Sequence, residues 1–388
     1  MRVVESNPQG RASWKRLFGG ASASGPAAVR VEVTVLRKAG EPLLIVPRSG
    51  AAGVASLDLY PAQTTFARAA RSFWRLTLPY GWAAGAEQDE VLVDPKDPFV
   101  QFLSSSRDAA APARSAGAGR GNLPRFAILA GNPGAPGRRF LVLVFGEDDR
   151  PVAVVKTGTH PSAVELIEKE ISFLTQARPG RPGIPAVRAR FSVDPIRAFA
   201  MEYIDGDSPR PKDAGRVVPL LNSWLHRERA IGLEELCGWR RLAEAAAGDG
   251  LLAPLQKRLS SITLHPAIFH GDFAPWNIKV PHANGVWTVL DWERGEWMGP
   301  PAWDWFHYVL QPAILVQRQS RLELVRTAEA LLASPAFREY ASAAGLGNAA
   351  REWLMAYLLH CRDVLKPAEG SPRVPELLRL LAAKWLST

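Results

Sequence analysis

The chain has 388 residues, of which 47% are hydrophobic, and it carries a formal net charge of +9. Because this length exceeds one average domain, we expect at least two hydrophobic cores. It has only two cysteines, Cys237 and Cys361, which argues against a disulfide framework. Neither lies in a Cys-x-x-Cys or Cys/His cluster, which argues against a zinc site.

The arginines are scattered and form no dense basic block, so the charge indicates an arginine-rich composition rather than a nucleic-acid partner. The N-terminal residues lack the apolar run of a signal peptide, and no segment has the length and apolarity of a transmembrane helix. We therefore expect a cytoplasmic protein that does not insert into a membrane.

The first 122 residues predict three segments without assignable chemistry. Residues 1–30 are polar and rich in Gly, Ser and Ala, which predicts a flexible tail. Residues 31–103 combine strand patterns with a helical pattern that opens at Pro61, and they predict an accessory α/β module. Residues 104–122 are mostly Ser, Ala, Gly, Pro and Arg, a composition that predicts a linker or long exposed loop.

Three strand patterns follow, and a glycine-rich turn containing Gly134 and Gly137 joins the first two. Such a turn lets backbone N–H groups approach phosphates without obstruction by a Cβ, although an ordinary hairpin loop has the same composition. The third strand reads Val-Ala-Val-Val-Lys and ends at Lys156. A capping box at Ser162 and Glu165 then predicts the start of a helix.

Residues 186–191 and 197–201 are two further strand patterns, and residues 208–265 follow a helical, amphipathic pattern. This helical segment contains nine Lys or Arg residues against six Asp or Glu residues. A polycationic acceptor would favour an acidic surface here, so the sequence disfavours such an acceptor.

The main chemical signal is His-Gly-Asp-x-x-x-x-Asn at residues 270–277, followed by Asp-Trp-Glu at residues 291–293. An isolated Asp near an Asn is usually a turn residue. Here a carboxylate, an amide five positions later and a second carboxylate after the next apolar run occur together. This combination is what phosphoryl transfer from a magnesium nucleotide requires.

The motif, together with Gly299 and Asp304, resembles the aminoglycoside phosphotransferase and choline kinase family of small-molecule kinases over roughly residues 123–388. The resemblance implies an α+β, two-lobed protein-kinase-like fold that follows the accessory module. A small antiparallel-sheet N-lobe would occupy residues 123–204, and a mainly helical C-lobe would occupy residues 205–388.

The resemblance also implies a nucleotide site for ATP. Lys156 would contact the phosphates and be held by Glu170, with Glu168 as the alternative partner. The remaining nucleotide contacts would come from glycines of the turn and from the hinge between lobes, where a backbone carbonyl and a backbone amide meet the adenine edge. These residues are Gly134, Gly137, Glu202 and Ile204.

For the chemical step, the resemblance implies that Asp272 accepts the proton of an acceptor hydroxyl. Asn277 and Asp291 would ligate Mg²⁺, with Glu293 as a further ligand or an outer acid. Asp304 is expected to tie the following helix to the catalytic loop. His307 is expected to be a packed or hydrogen-bonded histidine rather than a base.

We therefore expect an ATP-dependent kinase that phosphorylates a hydroxyl of a small molecule such as a sugar or an amino alcohol. A catalytically silent kinase-like module that binds a nucleotide is the alternative. Protein kinase activity is disfavoured because Gly271 replaces the Arg of the protein-kinase signature and because Asp-Phe-Gly and Ala-Pro-Glu are missing.

Overall fold

The structure is a computed structural model. It describes residues 13–19, 28–38, 40–48, 50–59, 65–81, 85–110, 123–131, 137–177, 180–282, 285–365 and 372–386. Within these ranges the chain divides into two compact units. The first unit contains the residues up to Thr175 together with Pro185–Tyr203, and the second contains Gln176–Ile184 and the residues from Ile204 onward.

The described part of the first unit is built on one antiparallel sheet. Its strands are β1 (Val29–Lys38), β2 (Glu41–Pro47), β3 (Glu87–Val93), β4 (Phe126–Ala130), β5 (Phe140–Phe145), β6 (Pro151–Gly158), β7 (Ala189–Val193) and β8 (Ile196–Glu202). Its α-helices are α1 (Ala51–Ser56), α2 (Thr65–Thr77), α3 (Pro98–Ala110) and α4 (Pro161–Gln176). The strand order is β3-β1-β2-β4-β5-β6-β8-β7.

The strands of the predicted accessory module continue the same sheet as the strands that follow it. Strand β2 pairs with β4 in the register Leu44 to Leu129 and Ile45 to Ile128. Ile45 and Ile128 belong to the hydrophobic core on one face of the sheet, and Leu44 belongs to the core on the other face. A strand that is apolar on both faces needs a sheet whose two faces are both covered, and these two cores cover β2. Along its edges, β2 pairs with β1 and β4.

Parts of the predicted tail and linker also have regular structure. Residues Ser13–Phe18 form a 3-10 helix, and Phe18 stacks on Phe126 with ring centroids 4.7 Å apart. Helix α3 continues past the predicted linker start at residue 104 and ends at Ala110. Within it the hydroxyl of Ser106 donates a 2.7 Å hydrogen bond to the carbonyl of Phe102 one turn earlier. Residues 111–122 lie outside the described residues.

The second unit is mainly helical. Its short strands are β9 (Gly206–Asp207), β10 (Ala267–Phe269), β11 (Ile278–Pro281), β12 (Thr288–Val289) and β13 (Glu296–Gly299). Its α-helices are α5 (Val217–Ser223), α6 (Cys237–Ala245), α7 (Leu252–Leu259), α8 (Trp303–Leu315), α9 (Arg321–Ala333), α10 (Pro335–Ala343), α11 (Ala350–His360) and α12 (Arg373–Trp385). The predicted α+β fold class is confirmed.

Buried tryptophans form the centre of the second unit. The rings of Trp239 and Trp353 are stacked at 5.9 Å, and Trp303 lies 5.5 Å from Trp353. The indole N–H of Trp353 donates a 2.7 Å hydrogen bond to the carbonyl of Pro301, just before helix α8. This packing fixes α8 against α11. Among the described residues, no helix is long and apolar enough to cross a membrane.

The shared sheet predicts that Ile45→Ala destabilises the whole first unit. Removing a fully buried side chain of this size costs about 2–5 kcal/mol of unfolding free energy. Hydrogen exchange should then accelerate in β4 and β5 as well as in β2. The matched control is Leu92→Ala, because Leu92 is 43% exposed on β3 and should change stability by less than about 0.5 kcal/mol. Faster exchange confined to β1–β3 would show that the accessory module folds separately.

Candidate active site

In the first unit, Lys156 and Glu170 form a buried ion pair. The ammonium Nζ of Lys156 lies 2.7 Å from each carboxylate oxygen of Glu170, and Glu170 is fully buried. Glu170 shares the apolar face of α4 with Ile167 and Leu174, at helical spacing. Glu168 instead lies 3.3 Å from Arg197, so the geometry pairs Lys156 with Glu170.

Helix α4 begins at Pro161, one residue before the predicted N-cap Ser162. The hydroxyl of Ser162 lies 3.0 Å from Nδ1 of His160. Glu165, the predicted second member of the capping box, pairs with Lys169 one turn later. The predicted helix therefore exists, but the observed contacts of these two residues are not those of a capping box.

The predicted contacts to the nucleotide are only partly described. Gly134 lies outside the described residues. Gly137 has φ +76°, and a Cβ there would lie 2.7 Å from Leu166 of α4, so close packing against the helix already requires glycine. Glu202 ends strand β8, and its carboxylate pairs with Arg188. Ile204 begins the longer segment of the second unit and is half-buried.

In the second unit, strand β10 leads into the loop that carries Asp272. Gly271 has φ +80°, and a Cβ at this position would lie 2.8 Å from the Cβ of Arg294. Neither the backbone conformation nor the available space accepts an arginine. The glycine that replaces the Arg of protein kinases is therefore required by local geometry.

A buried carboxylate holds this loop. Asp304, in the first turn of α8, accepts hydrogen bonds from the backbone N–H of His270 at 2.7 Å and of Gly271 at 3.1 Å. Burial raises the pKa of Asp304 to about 7, while the two N–H donors act in the opposite direction. This is the tie between helix and loop that the sequence predicted.

His270 is a neutral structural residue beneath the loop. Its Nε2 lies 2.8 Å from the carbonyl of Leu290, and its Nδ1 accepts the backbone N–H of Asp272 at 3.2 Å. These partners place the ring proton on Nε2. Burial lowers the pKa of His270 to about 4, so the ring stays uncharged at neutral pH.

The carboxylate of Asp272 is held through both oxygens. The amide Nδ2 of Asn277 donates to Oδ2 at 2.9 Å and to the Asp272 carbonyl at 2.9 Å. Nε2 of His307 lies 3.1 Å from Oδ1. Burial opposes ionisation of Asp272, but the hydrogen bond from His307, together with nearby positive charge such as that of Arg294, lowers the pKa of the carboxyl. Asp272 is therefore ionised at neutral pH, and its side chain remains 29% exposed.

Asn277 and Asp291 emerge at the same end of a short strand pair. Asn277 directly precedes β11 and Asp291 closely follows β12, and Ile278 pairs with Val289 in the antiparallel register. The backbone N–H of Leu290 donates to the carbonyl of Asn277 at 2.7 Å. Asp291 has φ +74°, a conformation that non-glycine residues seldom adopt away from functional sites.

The predicted metal ligands are Asn277, Asp291 and Glu293, and within the part of the chain that the structure describes they do not belong to a cluster of three ionisable side chains. Glu293 is half-buried near the loop. Among the described residues, no group of three or more His, Cys, Asp or Glu side chains could by itself hold a metal ion.

The contact between His307 and Asp272 was not predicted from the sequence, which indicated a packed or hydrogen-bonded histidine without a named partner. The signal was available, because His307 lies three residues after Asp304 on α8, so both side chains point from one helical face toward the loop. The long-range contact from Tyr357, whose hydroxyl lies 3.1 Å from Nδ1 of His307, has no comparable signal in the sequence.

Comparison with known proteins assigns the family. A family model described as the phosphotransferase enzyme family, APH, matches residues 132–346, which is more than half of the chain. The chain therefore belongs to this phosphotransferase family. The resemblance predicted from the His-Gly-Asp motif is confirmed, as is the protein-kinase-like fold class.

No curated protein sequence matches the chain. Similar solved structures include aminoglycoside phosphotransferase APH(4)-Ia in a complex with ADP and hygromycin B, with 11% identity, a TM-score of 0.41 and coverage of 65% of this chain and 93% of that chain. Another is aminoglycoside phosphotransferase APH(3'')-Id from Streptomyces rimosus, with 13% identity, a TM-score of 0.35 and coverage of 60% and 92%.

The neutral, buried state of His270 predicts a pH-dependent stability. A group whose folded pKa lies near 4 instead of 6.5 destabilises the folded state as pH falls from about 6.5 to about 4, by roughly 3 kcal/mol at most. His270→Gln removes this titration but leaves Asp304 in place. Urea unfolding should therefore show the stability advantage of the wild type over His270→Gln shrinking on acidification.

The exposed His282, whose side chain is 60% accessible, provides the control for this experiment. His282→Gln should follow the wild-type stability profile across the same pH range. A gap between the wild type and His270→Gln that stays constant from pH 7 to pH 4 would contradict a neutral His270.

Proposed function

We propose that this protein transfers the γ-phosphoryl group of ATP to a hydroxyl group of a small molecule such as a sugar or an amino alcohol. The observation that supports this function most directly is the ionised, partly exposed carboxylate of Asp272, with Asn277 on one oxygen and His307 on the other. Such a group accepts a proton from an acceptor hydroxyl and orients the hydroxyl oxygen for attack.

Orientation accounts for most of the proposed role of Asp272. Phosphoryl transfer passes through a loose transition state in which the attacking oxygen has formed little bond, so strong base catalysis is not required. Holding the acceptor oxygen in line with the transferred group supplies a larger share of the rate. The two hydrogen bonds to Asp272 suit this role because they restrict the carboxylate to one plane.

The donor set around the strand pair fits Mg²⁺. An amide oxygen from Asn277 and a carboxylate from Asp291 are the hard oxygen ligands that this ion prefers, and nucleotide sites complete its shell with phosphates and water. The Nδ2 atom of Asn277 faces Asp272, which leaves the amide oxygen on the other side of the group. When bound, Mg²⁺ would neutralise charge on the phosphates. Glu293 would act as a further ligand or an outer acid.

The ion pair in the first unit supports a nucleotide site. A buried ion pair gains little net stability, because desolvation offsets the attraction between its charges. Stability therefore does not account for the pair, and its proposed role is that Glu170 holds the ammonium group of Lys156 for the α- and β-phosphates of ATP. Gly134 and Gly137 would lie along the phosphates, and the backbone of Glu202 and Ile204 would meet the adenine.

In the structure, the net charge of the helical segment 208–265 gives no reason to disfavour a polycationic acceptor. Three of its nine basic residues are paired with acids outside the segment: Arg210 with Asp207, Arg241 with Glu296, and Arg258 with Glu352. Adding those three acids to the six within the segment, and adding Arg362, which pairs with Asp249, to the nine basic residues gives ten basic and nine acidic residues. Polycationic acceptors therefore belong in the substrate screen beside neutral sugars and amino alcohols.

Asp272→Asn is predicted to abolish turnover while preserving the fold and nucleotide binding. The amide is nearly isosteric but is a poor proton acceptor, so ADP release should fall by about 10²- to 10⁴-fold. The assay is ADP release from Mg·ATP across sugars, amino alcohols, aminoglycosides and nucleosides, with thermal shift as the test of ATP binding. Glu228→Gln is the control, since this side chain is 77% exposed. Wild-type rates in Asp272→Asn would reject the proposed role.

Asp291→Asn is predicted to weaken the response to Mg²⁺ specifically. Loss of one ligand charge should raise the Mg²⁺ concentration for half-maximal ADP release by about 10-fold or more. Thermal shift by ATP with and without Mg²⁺ gives a second readout that needs no turnover, and the Mg²⁺-dependent part of the shift should decrease. Unchanged Mg²⁺ titrations in both assays would exclude Asp291 as a ligand.

A further inference from the structure

A buried histidine lies between the candidate catalytic carboxylate and a tyrosine. His307 is 3% exposed, its Nε2 lies 3.1 Å from Oδ1 of Asp272, and its Nδ1 lies 3.1 Å from the hydroxyl of Tyr357. Both ring nitrogens therefore have a side-chain partner. The ring connects helix α11, which carries Tyr357, to the loop that carries Asp272.

The contact with His307 restricts a rotation that other contacts leave open. An aspartate carboxylate turns easily about its Cβ–Cγ bond, because this torsion is broad. Asn277 holds only Oδ2. A second donor on Oδ1 fixes the plane of the group, while each oxygen keeps acceptor capacity for a further hydrogen bond.

One helix holds both the main chain and the side chain at this site. Asp304 of α8 binds the backbone N–H groups of His270 and Gly271, directly before Asp272. His307, one turn later on α8, binds the Asp272 carboxylate. Tyr357 holds the ring from a different helix, and Trp353 of that helix is bonded to Pro301 just before α8. The position of the carboxylate is thus set by the packing of α8 against α11.

We infer that His307 is a positioning residue, which donates from Nε2–H to Asp272 and is held in that tautomer by the hydroxyl of Tyr357. A neutral imidazole has one donor and one acceptor nitrogen, and the hydrogen bond at one nitrogen selects the role of the other. The tyrosine hydroxyl donates to Nδ1, which leaves the proton on Nε2. This inference rests on the proposed function of Asp272 and extends it to two residues that do not touch the substrate.

The first test measures ADP release from Mg·ATP with water as the acceptor. His307→Leu should lower kcat by about 10- to 100-fold with little change in the KM for ATP, and His307→Gln, which restores an N–H donor, should recover most of the loss. Tyr357→Phe should cause a smaller loss. In the Asp272→Asn background, His307→Leu should have no further effect, because the residue acts through Asp272.

This assay distinguishes an error in the proposed function from an error in the positioning role of His307. Wild-type turnover that Asp272→Asn leaves unchanged contradicts the proposed function. If Asp272→Asn is inactive but His307→Leu matches the wild type, the positioning role is overturned and the proposed function stands. Equal losses in His307→Leu and His307→Gln would also overturn the role, because the donor would then be irrelevant.

The second test needs neither turnover nor a stable leucine variant. ¹⁵N NMR of the histidine rings in the full-length protein, with the His307 signals assigned by their loss in His307→Gln, should show a protonated Nε2 and an acceptor Nδ1. Tyr357→Phe should shift the Nδ1 resonance. An unprotonated Nε2 in the wild-type protein would overturn the inference whatever the activity assays show.

Discussion

Two hydrogen bonds from the main chain to one buried carboxylate position the candidate active site. Asp304 accepts the N–H groups of His270 and Gly271, and bonds to a charged group of this kind contribute about 1.5–3 kcal/mol each. Burial works against them, since it raises the pKa of Asp304 to about 7. The first turn of α8 adds partial positive charge beside the carboxylate. The main effect of Asp304 is therefore to fix the position of the loop, and its net contribution to the free energy of unfolding is small.

The conformations of three neighbouring residues depend on the backbone turn at His270 and Gly271. Gly271 must adopt φ +80° where no Cβ fits, because the two N–H groups have to converge on one side chain. His270 is then directed inward, where burial keeps it neutral and it accepts the N–H of Asp272. Asp272 leaves the turn with its carboxylate toward Asn277 and His307. One constraint thus accounts for three consecutive residues of the motif.

The sequence predicted the parts of the molecule that depend on local order and spacing. The Asp272 to Asn277 interval located the loop that carries both residues. The family resemblance indicated Glu170 as the partner of Lys156 with Glu168 as the alternative, and only the structure shows that Glu170 is the buried one. The sequence could not predict that β1–β3 extend the sheet of the later strands, since the β2 to β4 pairing joins residues far apart in the chain. Gly271 had been interpreted through the Arg it replaces, whereas the structure gives a steric reason. The basic excess of segment 208–265 falls from three charges to one when the ion-pair partners outside the segment are counted.

The extended sheet has a consequence for where the chain can be divided. The family match begins at residue 132, after strand β4, so a fragment cut to the matched region would lack β1–β4. Strand β5 pairs with β4 through five residue positions, and its apolar sequence Phe-Leu-Val-Leu-Val-Phe would become an open sheet edge. Exposed edges of this composition template intermolecular β-pairing. In the intact chain, β4 covers this edge of β5, and β1–β3 continue the sheet beyond it.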